Sequence, residues 1–113
     1  MSVLNNYKIK GSTADGDLLS SPMGQIYERG YASVIFYTDD TYSTPVIPSA
    51  GTVTITVSET GVRYGTVENG TVDATADPYD RPNWAGAIGL AKATFAGITG
   101  ASHVIVTLHR FGG

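Results

Sequence analysis

Seven residues near the middle of the chain, Thr52-Val53-Thr54-Ile55-Thr56-Val57-Ser58, alternate without a break between apolar and hydroxyl-bearing side chains. Period-two alternation puts Val53, Ile55 and Val57 on one face of an extended ribbon and the threonines on the other. Every residue in the run is at home in a strand, and Gly51 and Gly61 punctuate its ends. A ribbon with one apolar face must be covered by a second layer, so the rest of the chain has to supply more strands or a packing helix.

It supplies strands. Tyr31 to Thr38 is an apolar and aromatic run of strand length, read here as buried on both faces. Asp39-Asp40-Thr41 then makes a turn, and Tyr42 to Val46 is a short edge strand near Pro45 and Pro48. Val62 to Val67 leads through Asn69-Gly70 into Thr71-Val72, and Asn-Gly between β-branched segments predicts a tight hairpin. Val3 to Lys10 reads as a first strand and Gly11 to Gly24 as a loop. Trp84 to Phe95 is rich in Ala and Gly, and its glycines favour strand over helix. Ser102 to Phe111 sets Val104, Val106 and Leu108 opposite His103, Ile105, Thr107 and His109, after a glycine-bracketed loop whose Ile98 plugs the end of the core. Six to eight short strands with no convincing helix predict an all-β fold, a single antiparallel β-sandwich or small barrel.

Size and composition narrow the function. A chain of 113 residues is one domain, and on size scaling it buries roughly two-thirds of its unfolded surface, enough for two layers without a staple. A net charge of −3, with seven scattered Lys and Arg, argues against a nucleic-acid partner. Without cysteine there is no disulfide framework, no thiolate nucleophile and no Cys-based zinc site. The first residues carry neither a basic nor an apolar signal segment, and no apolar run approaches the ~20 residues of a membrane helix.

No motif carries catalysis. Neither a phosphate loop, a Rossmann fingerprint nor Gly-x-Ser-x-Gly is present, and Asp39-Asp40 point apart on an extended chain. His103 and His109 stand about 20 Å apart along a strand, too far to share a metal. Asp73, Asp77, Asp80 and Asn83 lack the ladder of a calcium loop, so the aspartates are read as turn caps and no metal or cofactor is expected. The aromatic residues Tyr42, Tyr64, Tyr79 and Trp84 are the interface candidates, with Tyr64, Tyr79 and Trp84 as a platform for a protein surface or a sugar ring, Trp84 reading equally well as a cover over the core.

Three segments, Pro48-Ser49-Ala50-Gly51-Thr52-Val53-Thr54-Ile55, Arg81-Pro82-Asn83-Trp84-Ala85-Gly86 and Gly97-Ile98-Thr99-Gly100-Ala101-Ser102-His103-Val104, resemble small virion structural proteins of tailed bacteriophages. The resemblance runs from Ala32 to Phe111. It implies a non-enzymatic β-sandwich that decorates or connects capsid, collar or tail, assembled in the host bacterial cytoplasm and located in the virion. Its partners would be the major capsid, collar or tail proteins, with a homo-oligomer such as a trimer as the expected form. On this reading residues 1–24 are a strand and loop, or an arm ordered by a partner, and residues 25–113 are the sandwich. The alternative is a carbohydrate-binding or receptor-binding module in which Trp84, Tyr79 and Asp80 contact sugar.

Overall fold

The computed structural model describes residues 3–20, 29–85 and 89–112, and among them every regular element is a strand. In chain order these are β1 (Val3–Ser12), β2 (Gly16–Leu19), β3 (Arg29–Tyr37), β4 (Pro45–Val46), β5 (Ala50–Ser58), β6 (Gly65–Asp73), β7 (Asn83–Ala85), β8 (Leu90–Thr99) and β9 (His103–Gly112). All pairings are antiparallel, in the order β1-β9-β3-β7-β6-β5-β8-β2, with β4 also on β3. The sheet folds over into two layers and nearly closes as a flattened barrel. One layer is β1, β9 and β3 with β4 and β7; the other is β2, β8, β5 and β6. A single bridge, Glu68 to Asn83, joins them on one side, and on the other β1 approaches β2, where Leu18 packs over Gly11.

Alternation builds the core as expected. Ile9, Val106 and Val34 line up across the first layer, and Leu18, Ala93 and Ile55 across the second. Val53, Ile55, Val104, Val106 and Leu108 are almost wholly removed from water, each contributing about 1.5–3 kcal/mol of transfer free energy. Ile98 packs against this core, as the sequence suggested, but from the end of β8 rather than from a loop. Continuing the β9 alternation turns Arg110 inward, buried with its guanidinium 5.7 Å from the Tyr7 ring.

Five expectations need correction. Asn69-Gly70 is not a hairpin: β6 pairs with β5 on both sides of it, and the chain bulges without reversing. Only Asn69 takes a positive φ, +56°, whereas a type I′ turn needs two such residues. Trp84 to Phe95 is not one strand, because β7 pairs with β3 and β8 with β5, in different layers. The segment read as a loop from Gly11 contains the end of β1 and all of β2. β3 is buried on one face only, since Ile35 on its other face is 46% exposed. The edge strand expected from Tyr42 shrinks to Pro45–Val46, because Tyr42 itself has φ +54° and belongs to the turn. Residues 3–12, for which strand and partner-ordered arm were both open, form a strand paired to β9 along its length.

β3 has an unusual second edge. β7 covers its start and β4 its end, leaving the middle without a neighbouring strand. There the Ala32 N–H donates to the Pro82 carbonyl at 2.8 Å, and the Val34 N–H donates to the Tyr79 hydroxyl at 2.7 Å. The Tyr79 hydroxyl returns a long bond to the Val34 carbonyl, 3.4 Å. Below this seam lies an open groove of about 700 Å³, lined by Val34, Phe36, Val46, Val72, Ala74 and Tyr79 among others.

Candidate docking face on the first layer

The outward side chains of β1, β9 and β3 form four rows set by strand register. They are Asn6–His109–Tyr31, Lys8–Thr107–Ser33, Lys10–Ile105–Ile35 and Ser12–His103–Tyr37. Each row is outward for the same reason that Ile9, Val106 and Val34 are inward: neighbouring residues on a strand point to opposite faces.

Hydrogen bonds and ring contacts fix both ends of this face. At one end Tyr31 stacks on His109, centroids 4.5 Å apart and planes 16° from parallel, with the Arg81 guanidinium 5.6 Å from the Tyr31 ring. His109 Nδ1 lies 3.0 Å from Asn6 Oδ1, and Nε2 lies 2.9 Å from Ser33 Oγ. With Asn6 presenting an acceptor oxygen, Nδ1 carries the proton and Nε2 accepts from the Ser33 hydroxyl. Burial, and then the Arg81 charge, hold the imidazole below the usual histidine range, which suits this neutral tautomer.

At the other end Tyr42 turns back over the sheet. Asp39 accepts from the Ser43 amide at 3.0 Å and from its hydroxyl at 2.9 Å, closing the loop that forces Tyr42 into the left-handed region. Its ring meets Tyr37 edge-on at 5.5 Å and His103 edge-on at 5.7 Å. The Lys10 ammonium sits 5.2 Å from the same ring. Between the two ends Thr107, Ser33, Ile105 and Ile35 make an uncharged strip.

Ser33, His109 and Asn6 have the hydroxyl, base and orienting amide of a nucleophilic triad, so their chemistry needs weighing. A triad also needs N–H donors aimed at a developing oxyanion. Here the Val34 N–H is taken by Tyr79, and strand alternation turns the Ser33 N–H toward Thr107 in the β9 ladder. What the arrangement does is pin Asn6, Ser33 and Tyr31 around one imidazole.

The four residues expected at an interface are dispersed. Tyr42 stands on this face. Tyr79 is part-buried and tied to Val34. Trp84 packs against the core over Gly30, with no room for a Cβ between them. Tyr64 stands on the second layer with the Lys92 ammonium 4.4 Å from its ring. Tyr64, Tyr79 and Trp84 therefore do not converge on one platform. Asp73 caps a turn by accepting from the Thr75 amide at 3.0 Å, and among the described residues no three His, Asp or Glu gather as a metal site. Tyr31, His109 and Asn6 were not singled out as a group; the shared face of His103 and His109 was the signal pointing to them.

A family model described as a domain of unknown function, DUF7265, matches residues 16–109. The chain belongs to the DUF7265 family. The match begins at β2 and ends one residue before Arg110, so it covers both layers and most of the candidate face, β1 excepted. No curated protein matches the sequence. Among solved structures, this DUF7265 chain is similar to one from Bacillus endospore appendages, described as a novel family of disulfide-linked pili. The two share a TM-score of 0.51 and 14% identity, over 96% of this chain and 87% of that one. At that identity the likeness is one of fold.

Proposed function

We propose that this DUF7265 domain is a non-enzymatic assembly subunit that docks onto protein surfaces through the outer face of β1, β9 and β3. The setting is the one its sequence resemblance implies, the virion of a tailed bacteriophage. The observation that carries the reading is the four-row face itself. It presents Tyr31, Tyr37, Tyr42, two histidines and two isoleucines on rigid strands, with most of the rings held by one another. Side chains already immobilised lose little entropy when a partner covers them, and aromatic groups supply much of the contact energy at protein interfaces.

Two further points support it. The groups that resemble catalytic ones are spent on holding the face together. The fold is also one that the Bacillus appendage chain uses in a pilus. That pilus is described as disulfide-linked, whereas this chain has no cysteine and so makes no disulfide of its own.

The test is binding of the purified full chain to purified capsids or tails, alongside its own mass by light scattering, with a Tyr42→Ala, Ile105→Ser variant as control. An oligomer or particle-bound chain that the variant weakens supports the reading. A monomer that ignores the particles, or binding that the variant leaves intact, overturns it.

A further inference from the structure

Among the described residues, the outward strand positions of the two layers carry opposite charge. β1, β3 and β9 contain no carboxylate, and Lys8, Lys10 and Arg29 lie at outward positions on them. Arg81 adds its guanidinium over Tyr31. Among the described residues, the carboxylates adjoining this face are Asp39 and Asp40 in the Tyr42 turn, where Asp39 is engaged by Ser43, and Asp80 beside Arg81.

The second layer is the reverse. Its outward row is Asp17–Thr94–Thr54–Thr71, with the Thr94 hydroxyl donating to Asp17 at 2.7 Å. The next outward pair is Thr52–Asp73. Asp15 accepts from the Gly97 amide beside them at 2.9 Å, and Glu68 stands in the β6 bulge. The cations of this layer, Lys92 on β8 with Tyr64 against it and Arg63 in the β5–β6 loop, lie at its far end.

The layouts match as well as the signs. On the first layer the charges flank an uncharged strip of Thr107, Ser33, Ile105 and Ile35, with Lys8 and Lys10 on one side and Arg81 on the other. On the second layer Asp15 and Asp17 lie on one side and Asp73 on the other, around Thr94, Thr54 and Thr52. In both cases the flanks are two or three strand spacings apart, ~10–14 Å. Complementary potentials of this kind steer association and set register.

We infer that the partner of the docking face is a second copy of this chain, met through its acidic threonine face. The contact is head-to-tail. It rests on the docking reading above and adds the partner's identity. Because the two faces differ and lie on opposite sides of the molecule, each copy keeps one face open after pairing, and growth continues into a ring or a filament.

Sedimentation velocity on the full chain tests this with two variants, Lys8→Glu/Lys10→Glu and Asp17→Lys/Asp73→Lys. The wild type is expected to associate at low salt and to dissociate between about 0.05 M and 0.5 M salt as exposed charges are screened. Each variant alone is expected to be monomeric, with affinity at least about tenfold weaker, a loss of about 1.4 kcal/mol. An equimolar mixture is expected to associate again with the two variants alternating, because the intact basic face of one meets the intact acidic face of the other and their two reversed faces complement each other in turn. The chain carrying all four reversals is expected to associate with itself again.

A wild type that stays monomeric across this salt range overturns the inference whatever the variants do. So does self-association of either variant at wild-type strength, or a mixture that does not pair. A monomer that binds short duplex DNA through Lys8 and Lys10 overturns it too, in favour of a polyanion. If the wild type is monomeric but still binds particles through Tyr42 and Ile105, the self-partner falls and the docking reading stands.

Discussion

The Tyr79 hydroxyl occupies the place of a missing strand, accepting the Val34 N–H at 2.7 Å and lying 3.4 Å from the Val34 carbonyl. A sheet edge normally meets its donors and acceptors with a neighbouring strand or water. Here a side chain from the β6–β7 crossover does it, at the point where β4 and β7 leave a gap. β3, which borders the proposed docking face, is thereby anchored along the stretch that β4 and β7 leave uncovered.

Tyr79→Phe removes only that oxygen and leaves a part-buried backbone pair unmet. Stability is expected to fall by about 1–3 kcal/mol, read as a lower urea midpoint with unchanged slope. Amide exchange at Val34 is expected to quicken by more than at Val106 on the opposite strand. Equal exchange at Val34 in both proteins contradicts the role.

Gly30 lies between Arg110 on β9 and Trp84 on β7. A Cβ there would sit 2.8 Å from the His109 carbonyl oxygen and 2.8 Å from the Trp84 ring. Gly30→Ala is expected to cost about 1–3 kcal/mol through overpacking and to shift the emission of the sole tryptophan. Unaltered emission with wild-type stability counts against this packing.

Asn69 supplies the positive φ of the β6 bulge. Asn69→Ala is expected to destabilise by about 1–2 kcal/mol because Cβ crowds the carbonyl in that region, whereas Asn69→Gly is expected to be near neutral. Urea unfolding of the pair distinguishes a bulge from a relaxed loop, where both substitutions would be silent.

Burial and then Arg81 hold His109 below its ordinary value of 6.5. Between the lowered folded value and 6.5 the unfolded chain binds more protons, so stability rises with pH in that window. The contribution is therefore intact above pH 6.5 and is lost as pH falls through the folded value. Asp39 and Asp73, held low by bonds from Ser43 and Thr75, lose theirs only at more acid pH, below 3.8. His109→Gln is expected to flatten the fall of the unfolding midpoint as pH drops below 6.5 while leaving the acid limb unchanged. A wild-type midpoint that does not fall in that range contradicts the assignment.

Much of the fold was legible because period two is a local signal: Val53, Ile55, Val57, Val104, Val106 and Leu108 are inward as their spacing demands. Strand order is not local. Asn69-Gly70 satisfies a hairpin and a bulge with similar chemistry, and only the pairing of both flanks with β5 decides between them. Continuing the alternation one step past Leu108 would have found the inward Arg110. Tyr42, an interface candidate from the sequence, stands on the proposed docking face, and His103 and His109 share a face as their spacing indicated. The convergence of Asn6 on His109 was not, since they are 103 residues apart in sequence and meet only through β1–β9 register.

Lysine acetylation, read by mass spectrometry on the chain assembled with itself or on particles and on the same chain diluted to monomer, tests the docking face most directly. Lys8 and Lys10 are expected to react readily in the monomer and to be protected once the outer face of β1, β9 and β3 is covered. Equal reactivity of both lysines in the free and assembled states would mean that this face stays open to water, and assembly would have to run through another surface.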